Sequence, residues 1–330
     1  MDRGLRYLVT NTLTLDDDSG WPGRAEVIDE VKYVEGRFKR FRPKLRGLAA
    51  RWYEFQFGLY LLRRSRKYDA FAVGRFGIWF PILQRLVRSH KPVVMMDTEW
   101  RSIQTGRVNR AAAMASIKIC CFTNEEVKRY ARQSRIPQSR FGFVPACFQH
   151  RDQRPATDSG FVFAGGLQNR DWRTLLEAVD GLPYAVRLFT NQQFASLPSN
   201  VSVRLVGREE YYSQMAAASC VAVPVGAEPL RINGIATWTN AMAMGKVVIA
   251  TEPLGAPDYM DQGISGFYVN YGDVEALREC IIKVMSDPSL RQRVGAAARE
   301  RAHKEFSPEV FKRRILALLE GNHPRISLRQ

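Results

Sequence analysis

Residues 220–251 read CVAVPVGAEPLRINGIATWTNAMAMGKVVIAT. A short β-branched run, 220–225, gives way to a loop at Gly226-Ala227-Glu228. Asn233-Gly234 then precedes a helical piece of about ten residues with no Gly or Pro inside it. Gly245 closes that piece, and Lys246 leads into a second β-branched run, 246–251. Strand, helix and strand in this order make a βαβ unit, and a βαβ unit commits the sheet to parallel pairing.

The same alternation runs outward through the second half. Strands are expected at 160–166, 185–190, 201–207 and 266–270. Helices are expected in DWRTLLEAVDG (171–181), EEYYSQMAAAS (209–219) and DVEALRECIIKVMSD (273–287). The outcome is a doubly wound, Rossmann-like layer. In the first half, RYLVTNT (6–12) reads as a strand. The segments 68–97 and 117–146 read as two further βαβ units, and AEVIDEVKY (25–33) reads as helical. The polar stretch 148–160 carries no apolar periodicity and marks the domain boundary. The expected plan is residues 1–150, residues 151–306, and a C-terminal helix and tail over 307–330 that packs back on the first domain. Ser307 and Pro308 open that helix as cap and first-turn residue.

Bulk properties exclude several classes. The chain has 330 residues and 45% hydrophobic content, enough for two cores. No apolar run reaches the roughly 20 residues of a membrane span, and the N-terminus lacks the pattern of a secretory signal. The expected location is cytoplasmic, peripheral at the inner face of the plasma membrane. Five cysteines without metal-ligand spacing read as core residues in a reducing compartment. Four scattered histidines give no zinc motif.

Net charge is +16, and its placement is informative. Residues 1–150 hold 28 basic and 14 acidic residues, against 21 and 19 in residues 151–330. Within the first half, residues 36–67 carry eleven basic residues, one acid (Glu54) and interleaved aromatics. That composition suits an anionic membrane surface. It also suits a solvated helix with aromatics facing the core; nucleic acid is the less favoured partner.

Two loops of the second half fall at strand ends, where sheets of this type bind ligands. In the opening stretch, Glu228 follows the strand, Arg231 adds charge, and Asn233 and Gly234 form the mouth of a helix whose free N–H groups favour an anion. In AGGLQNRDW (164–172), Gly165 and Gly166 offer backbone N–H groups. Arg170 there can bind a phosphate or carboxylate in bidentate fashion.

These blocks, with the ordered G…NAMAMGK…APDY…GISGFYV…GD series, resemble the retaining glycosyltransferases of family 4 over residues 160–307. The resemblance implies a GT-B fold of two Rossmann-like doubly wound domains facing across a cleft. It further implies transfer of a sugar from a nucleoside-diphosphate sugar, with retention, without a metal and without a cofactor. By the same resemblance Glu228 contacts the donor sugar, Gly234 and Thr237 hold the diphosphate, and Arg170 takes the place of a phosphate-binding lysine. Asn240 occupies the position of an acid that binds the ribose, and the family's phosphate-binding arginine position falls on Gly165 or Gly166. Arg231 could replace that charge. In the first domain many relatives carry a histidine after the strand that enters the cleft; here Asp97 or Glu99 stands nearby, and Glu228 and Asp97 are the catalytic candidates. The acceptor, a sugar, lipid or peptide of cell-envelope type, is expected at the basic first domain. A nucleotide-sugar epimerase and a non-catalytic nucleotide-sugar- or polyanion-binding protein stay open beside this reading.

Overall fold

The computed structural model describes residues 5–11, 21, 25–29, 34, 46–96, 107–150, 158–226, 233–251 and 255–321. The chain divides into two compact units. One comprises Met1–Val144 with Phe311–Gln330, and the other comprises Pro145–Val310.

The first unit is built on a six-stranded sheet: β1 (Tyr7–Asn11), β2 (Ala25–Asp29), β3 (Ala70–Val73), β4 (Val93–Met95), β5 (Lys118–Cys121) and β6 (Phe141–Phe143). The strand order is β2-β1-β3-β4-β5-β6. Every neighbouring pair is parallel. The order reverses between β1 and β3. There the Gly74 N–H, just past β3, donates to Thr10 Oγ1 at 2.7 Å. Helices α1 (Arg46–Arg64), α2 (Trp79–Leu86), α3 (Arg107–Ala115) and α4 (Asn124–Ser134) lie between strands. Thr123 caps α4 by accepting from the Glu126 N–H. The core beneath α1 and α2 gathers Leu8, Phe57, Leu61, Phe71, Phe80 and Met95.

The segment AEVID, read above as helical, is strand β2. Ala and Glu favour helix intrinsically, but all five residues align in register with Tyr7–Asn11. Pairing with a buried neighbour strand outweighs a propensity difference of a few tenths of a kcal/mol per residue.

The second unit carries β7 (Phe161–Gly165), β8 (Ala185–Phe189), β9 (Val201–Arg204), β10 (Cys220–Val223), β11 (Val247–Thr251) and β12 (Phe267–Val269). Its order is β12-β11-β10-β7-β8-β9, again all parallel. This is the Rossmann arrangement, with its reversal between β7 and β10. The helices are α5 (Trp172–Val179), α6 (Arg208–Ala217), α7 (Ile235–Ala243), α8 (Ala256–Tyr259), α9 (Val274–Ser286) and α10 (Pro288–Glu305). Helix α11 (Pro308–Glu320) follows and ends in the first unit. There Tyr7 Oη donates to Glu320 Oε1 at 2.6 Å.

β7 and β10 are buried along their whole length, which explains their unbroken apolar runs. Helix α7 is buried from Thr237 to Ala243 because α10 covers the side turned away from the sheet. Gly295 of α10 lies so close to the Gly245 carbonyl that a Cβ there would overlap it.

Candidate active site

The strand order of the second sheet reverses between β7, which ends at Gly165, and β10, which ends at Val223. Ligands of doubly wound sheets bind in the crevice outside such strand ends. The crevice is shaped by the loop after β7. Asn169 takes a left-handed conformation (φ 45°). It exchanges bonds with Gly226: the Gly226 N–H donates to the Asn169 carbonyl at 3.2 Å, and Asn169 Nδ2 donates to the Gly226 carbonyl at 3.3 Å. Asp171 then caps α5 by accepting from the Thr174 N–H at 3.1 Å.

This loop fixes Arg170. Its Nε donates to the Gly165 carbonyl at 3.1 Å and its Nη1 to the Gln168 carbonyl at 2.8 Å. Nη2 makes no hydrogen bond among the described residues, so one edge of the guanidinium stays available. Burial pushes Arg170 below the ordinary arginine value, which strengthens its demand for an anion.

The two glycines act differently from the expectation. The Gly166 N–H donates to the Phe189 carbonyl at 3.1 Å and is not offered to a ligand. Gly166 sits at φ 140°, and a Cβ on it would overlap the Arg170 guanidinium. A Cβ on Gly165 would lie 2.5 Å from the Tyr211 ring. The Gly-Gly pair thus makes room for two side chains, and the Gly166 amide is committed to β8.

Across the reversal, α7 begins at Gly234, which is itself the N-cap in place of the expected Asn233. Gly234 has φ 83°, and a Cβ there would come within 2.7 Å of Val223 Cγ1. The first N–H groups of α7 have no intrahelical acceptor. Beside them, the indole N–H of Trp238 is buried without a partner among the described residues, in a residue 0% exposed. It lies 3.2 Å from where a Gly234 Cβ would stand. Thr237 Oγ1 faces Tyr211 Oη at 3.4 Å. Arg170, Tyr211, Thr237 and the mouth of α7 therefore stand around one strand-end crevice.

Asn240 has a different role from the expected ribose contact. It is 0% exposed. Its Oδ1 accepts from the N–H groups of Gln149 (3.1 Å) and His150 (2.8 Å), and its Nδ2 donates to the Ala236 carbonyl at 2.6 Å. The amide is used inside the fold, fastening residues 149–150 to α7. Glu228, Arg231 and Asp97 lie outside the described residues. Asp97 follows directly on Met96, whose N–H donates to the Val73 carbonyl at 2.7 Å at the carboxyl edge of the first sheet.

Tyr211 and Trp238 were not singled out in the sequence. Tyr211 lies in a Tyr-Tyr pair on an ordinary helix, and only the register of β7 against β10 brings it to Gly165. Among the described residues, no group of three or more His, Cys, Asp or Glu side chains is spaced to hold a metal ion.

Solved structures share this architecture. HepE of Anabaena in complex with UDP superposes with a TM-score of 0.71, covering 96% of this chain and 100% of that one at 15% identity. Sucrose-phosphate synthase of Thermosynechococcus elongatus gives 0.68, covering 94% and 87% at 15% identity. The fold is the two-domain GT-B type. Within it, residues 176–301 match the family of glycosyl transferases group 1. The chain is also similar in part to a GDP-mannose-dependent monoacylated alpha-(1-6)-phosphatidylinositol monomannoside mannosyltransferase of Corynebacterium glutamicum. The identity is 32% over 126 residues, or 36% of this chain and 33% of the relative. A lipopolysaccharide core biosynthesis glycosyltransferase of Rhizobium meliloti is 27% identical over 190 residues, 54% of each chain. The chain thus spans between a third and about half the length of these curated relatives.

Proposed function

We propose that the chain is a glycosyltransferase that moves a hexosyl group from a nucleoside-diphosphate sugar to a cell-envelope acceptor, with retention of configuration and without a metal. The observation that carries this reading is Arg170. It is fixed by two carbonyls, with one guanidinium edge free, beside the mouth of a helix at the reversal point of a Rossmann sheet. Arg170 and the α7 N–H groups meet the charge that develops on the leaving diphosphate. Glu228 orients the sugar and stabilises its oxocarbenium-like transition state. Thr237 and Gly234 line the diphosphate pocket, Arg231 adds a second cation, and Asp97 is the catalytic candidate of the first domain.

The relatives' names point to glycolipid and lipopolysaccharide acceptors, and the basic first unit fits an anionic membrane surface. Trp52, Leu86 and Val87 are 57%, 74% and 58% exposed there, among the exposed Arg51, Arg63, Arg66, Arg85 and Arg88. Among the described residues no helix is long and apolar enough to cross a membrane. Flotation that is equal on phosphatidylcholine vesicles and on vesicles rich in phosphatidylglycerol would count against this part.

The donor reading is tested by thermal shift with UDP, GDP, ADP, dTDP and CDP on the wild type and Arg170→Ala. A diphosphate at about 100 times its Kd stabilises the fold by roughly 2.7 kcal/mol. One diphosphate stabilising the wild type and not the variant supports the reading and names the base. No shift with any of them sinks it. Binding followed by product from the donor sugar alone would point to an epimerase.

A further inference from the structure

Gly165 ends β7 beside the point where the strand order reverses. A Cβ on it would lie 2.5 Å from a Tyr211 ring carbon and 2.6 Å from the hydroxyl oxygen. The phenol therefore rests on the Gly165 backbone, whose carbonyl also receives Arg170 Nε. Tyr211 comes from α6, in a different βα unit. Phe163 and Phe189 hold its ring edge-on, at centroid distances of 5.1 and 6.2 Å.

A phenylalanine would fill the same ring volume and keep both aromatic contacts. The hydroxyl is the added element, and it occupies space that any residue with a side chain at position 165 would close. Among the described residues its hydrogen-bonding neighbour is Thr237 Oγ1 at 3.4 Å, well beyond the roughly 2.7–2.8 Å of a committed O–H···O bond. Tyr211 is half-buried as a residue, and its hydroxyl stands beside Gly165 and Thr237 at the strand end.

We propose that the Tyr211 hydroxyl is a donor-site ligand that donates a hydrogen bond to a phosphate oxygen of the bound nucleoside diphosphate, between Arg170 and Thr237. This rests on the donor-site reading above and adds a neutral hydrogen-bond donor to its cations. Burial pushes the phenol above its ordinary value, and Thr237 and Arg170 offset that only in part. The group is therefore protonated, and a donor, at neutral pH. It transfers no proton in the reaction.

The test is Tyr211→Phe in the full chain, titrated calorimetrically with UDP, GDP, uridine and guanosine. A hydrogen bond to a charged group is worth about tenfold or more in affinity. The expected result is a loss of that size for the diphosphate that the wild type binds, with the matching nucleoside within about twofold. Diphosphate binding unchanged within about twofold overturns the proposal and leaves the donor reading standing. An equal loss for diphosphate and nucleoside also overturns it, because that pattern reports a displaced loop. Failure of the wild type to bind any of UDP, GDP, ADP, dTDP and CDP overturns both.

Discussion

Asn240 Oδ1 accepts the backbone N–H groups of Gln149 and His150 at 3.1 and 2.8 Å, so one buried side chain on α7 fastens two consecutive residues of a remote segment. Truncation to Ala leaves two N–H groups unpaired. At about 1–3 kcal/mol each, softened by partial exposure, the loss should be about 2–4 kcal/mol. Asn240→Asp restores the acid implied by the family resemblance but places a carboxylate against the Ala236 carbonyl in a site 0% exposed. Both variants should lower the urea midpoint, and Asn240→Asp should bind nucleoside diphosphate no more tightly than the wild type. A tighter nucleotide with unchanged stability would return Asn240 to the ribose.

Gly295 inverts the usual expectation for a helix interior. Ala exceeds Gly by about 0.8–1 kcal/mol in intrinsic helix propensity. A Cβ at 295 would, however, meet the Gly245 carbonyl oxygen of the α7 C-terminal turn, a backbone atom that cannot rotate away. Gly245 itself is held at φ 73°. Gly295→Ala should therefore destabilise the second unit by about 1–3 kcal/mol, as overpacking does. Calorimetric melting distinguishes the two signs directly.

The same pair marks what a sequence can and cannot disclose. Strand 220–223 and strand 247–251 were legible because uninterrupted β-branched runs between turn residues admit few other structures. The place of Arg170 just beyond a strand end was legible because Gly-Gly closes the apolar run 160–164 before it. Asn240 misled because a position in a motif says nothing about where an amide points. The partners of its Oδ1 are 91 and 90 residues away in sequence. Tyr211 was invisible for the same reason: its meaning depends on the missing Cβ of Gly165, and that contact exists only once β7 and β10 are paired. Strand β2 was misread because its helix-forming letters carry less weight than its register with β1.

Glu54 gives a pH dependence. Its Oε2, on α1, is buried without a hydrogen-bond partner among the described residues. Burial raises the carboxyl above its ordinary value of 4.5, and Arg51 and Arg75 counter that only partly. The folded state therefore holds this proton to higher pH than the unfolded chain. Its contribution to stability is present at low pH and falls as pH rises from about 4.5 through the raised folded value. Glu54→Gln removes the titration. The variant should gain relative stability across that window and keep a constant advantage above it. Urea midpoints from pH 4 to 8 check this, and parallel curves for the two proteins would refute it.

Gly166→Ala should imitate Arg170→Ala without touching the arginine. At φ 140° an alanine is strained, and its Cβ would occupy the place of the Arg170 guanidinium. The side chain must leave its two carbonyls, and the charge moves away from the mouth of α7. Loss of one charge-assisted contact of about 1.5–3 kcal/mol corresponds to roughly 10- to 150-fold weaker diphosphate binding. The strain adds about 1–3 kcal/mol of lost stability, which Arg170→Ala would not share. Calorimetric titration of both single variants and the double variant checks this. If the two substitutions act through one guanidinium, the double variant binds no more weakly than Arg170→Ala alone. If their effects on affinity add, Gly166 acts on the ligand by some route other than Arg170.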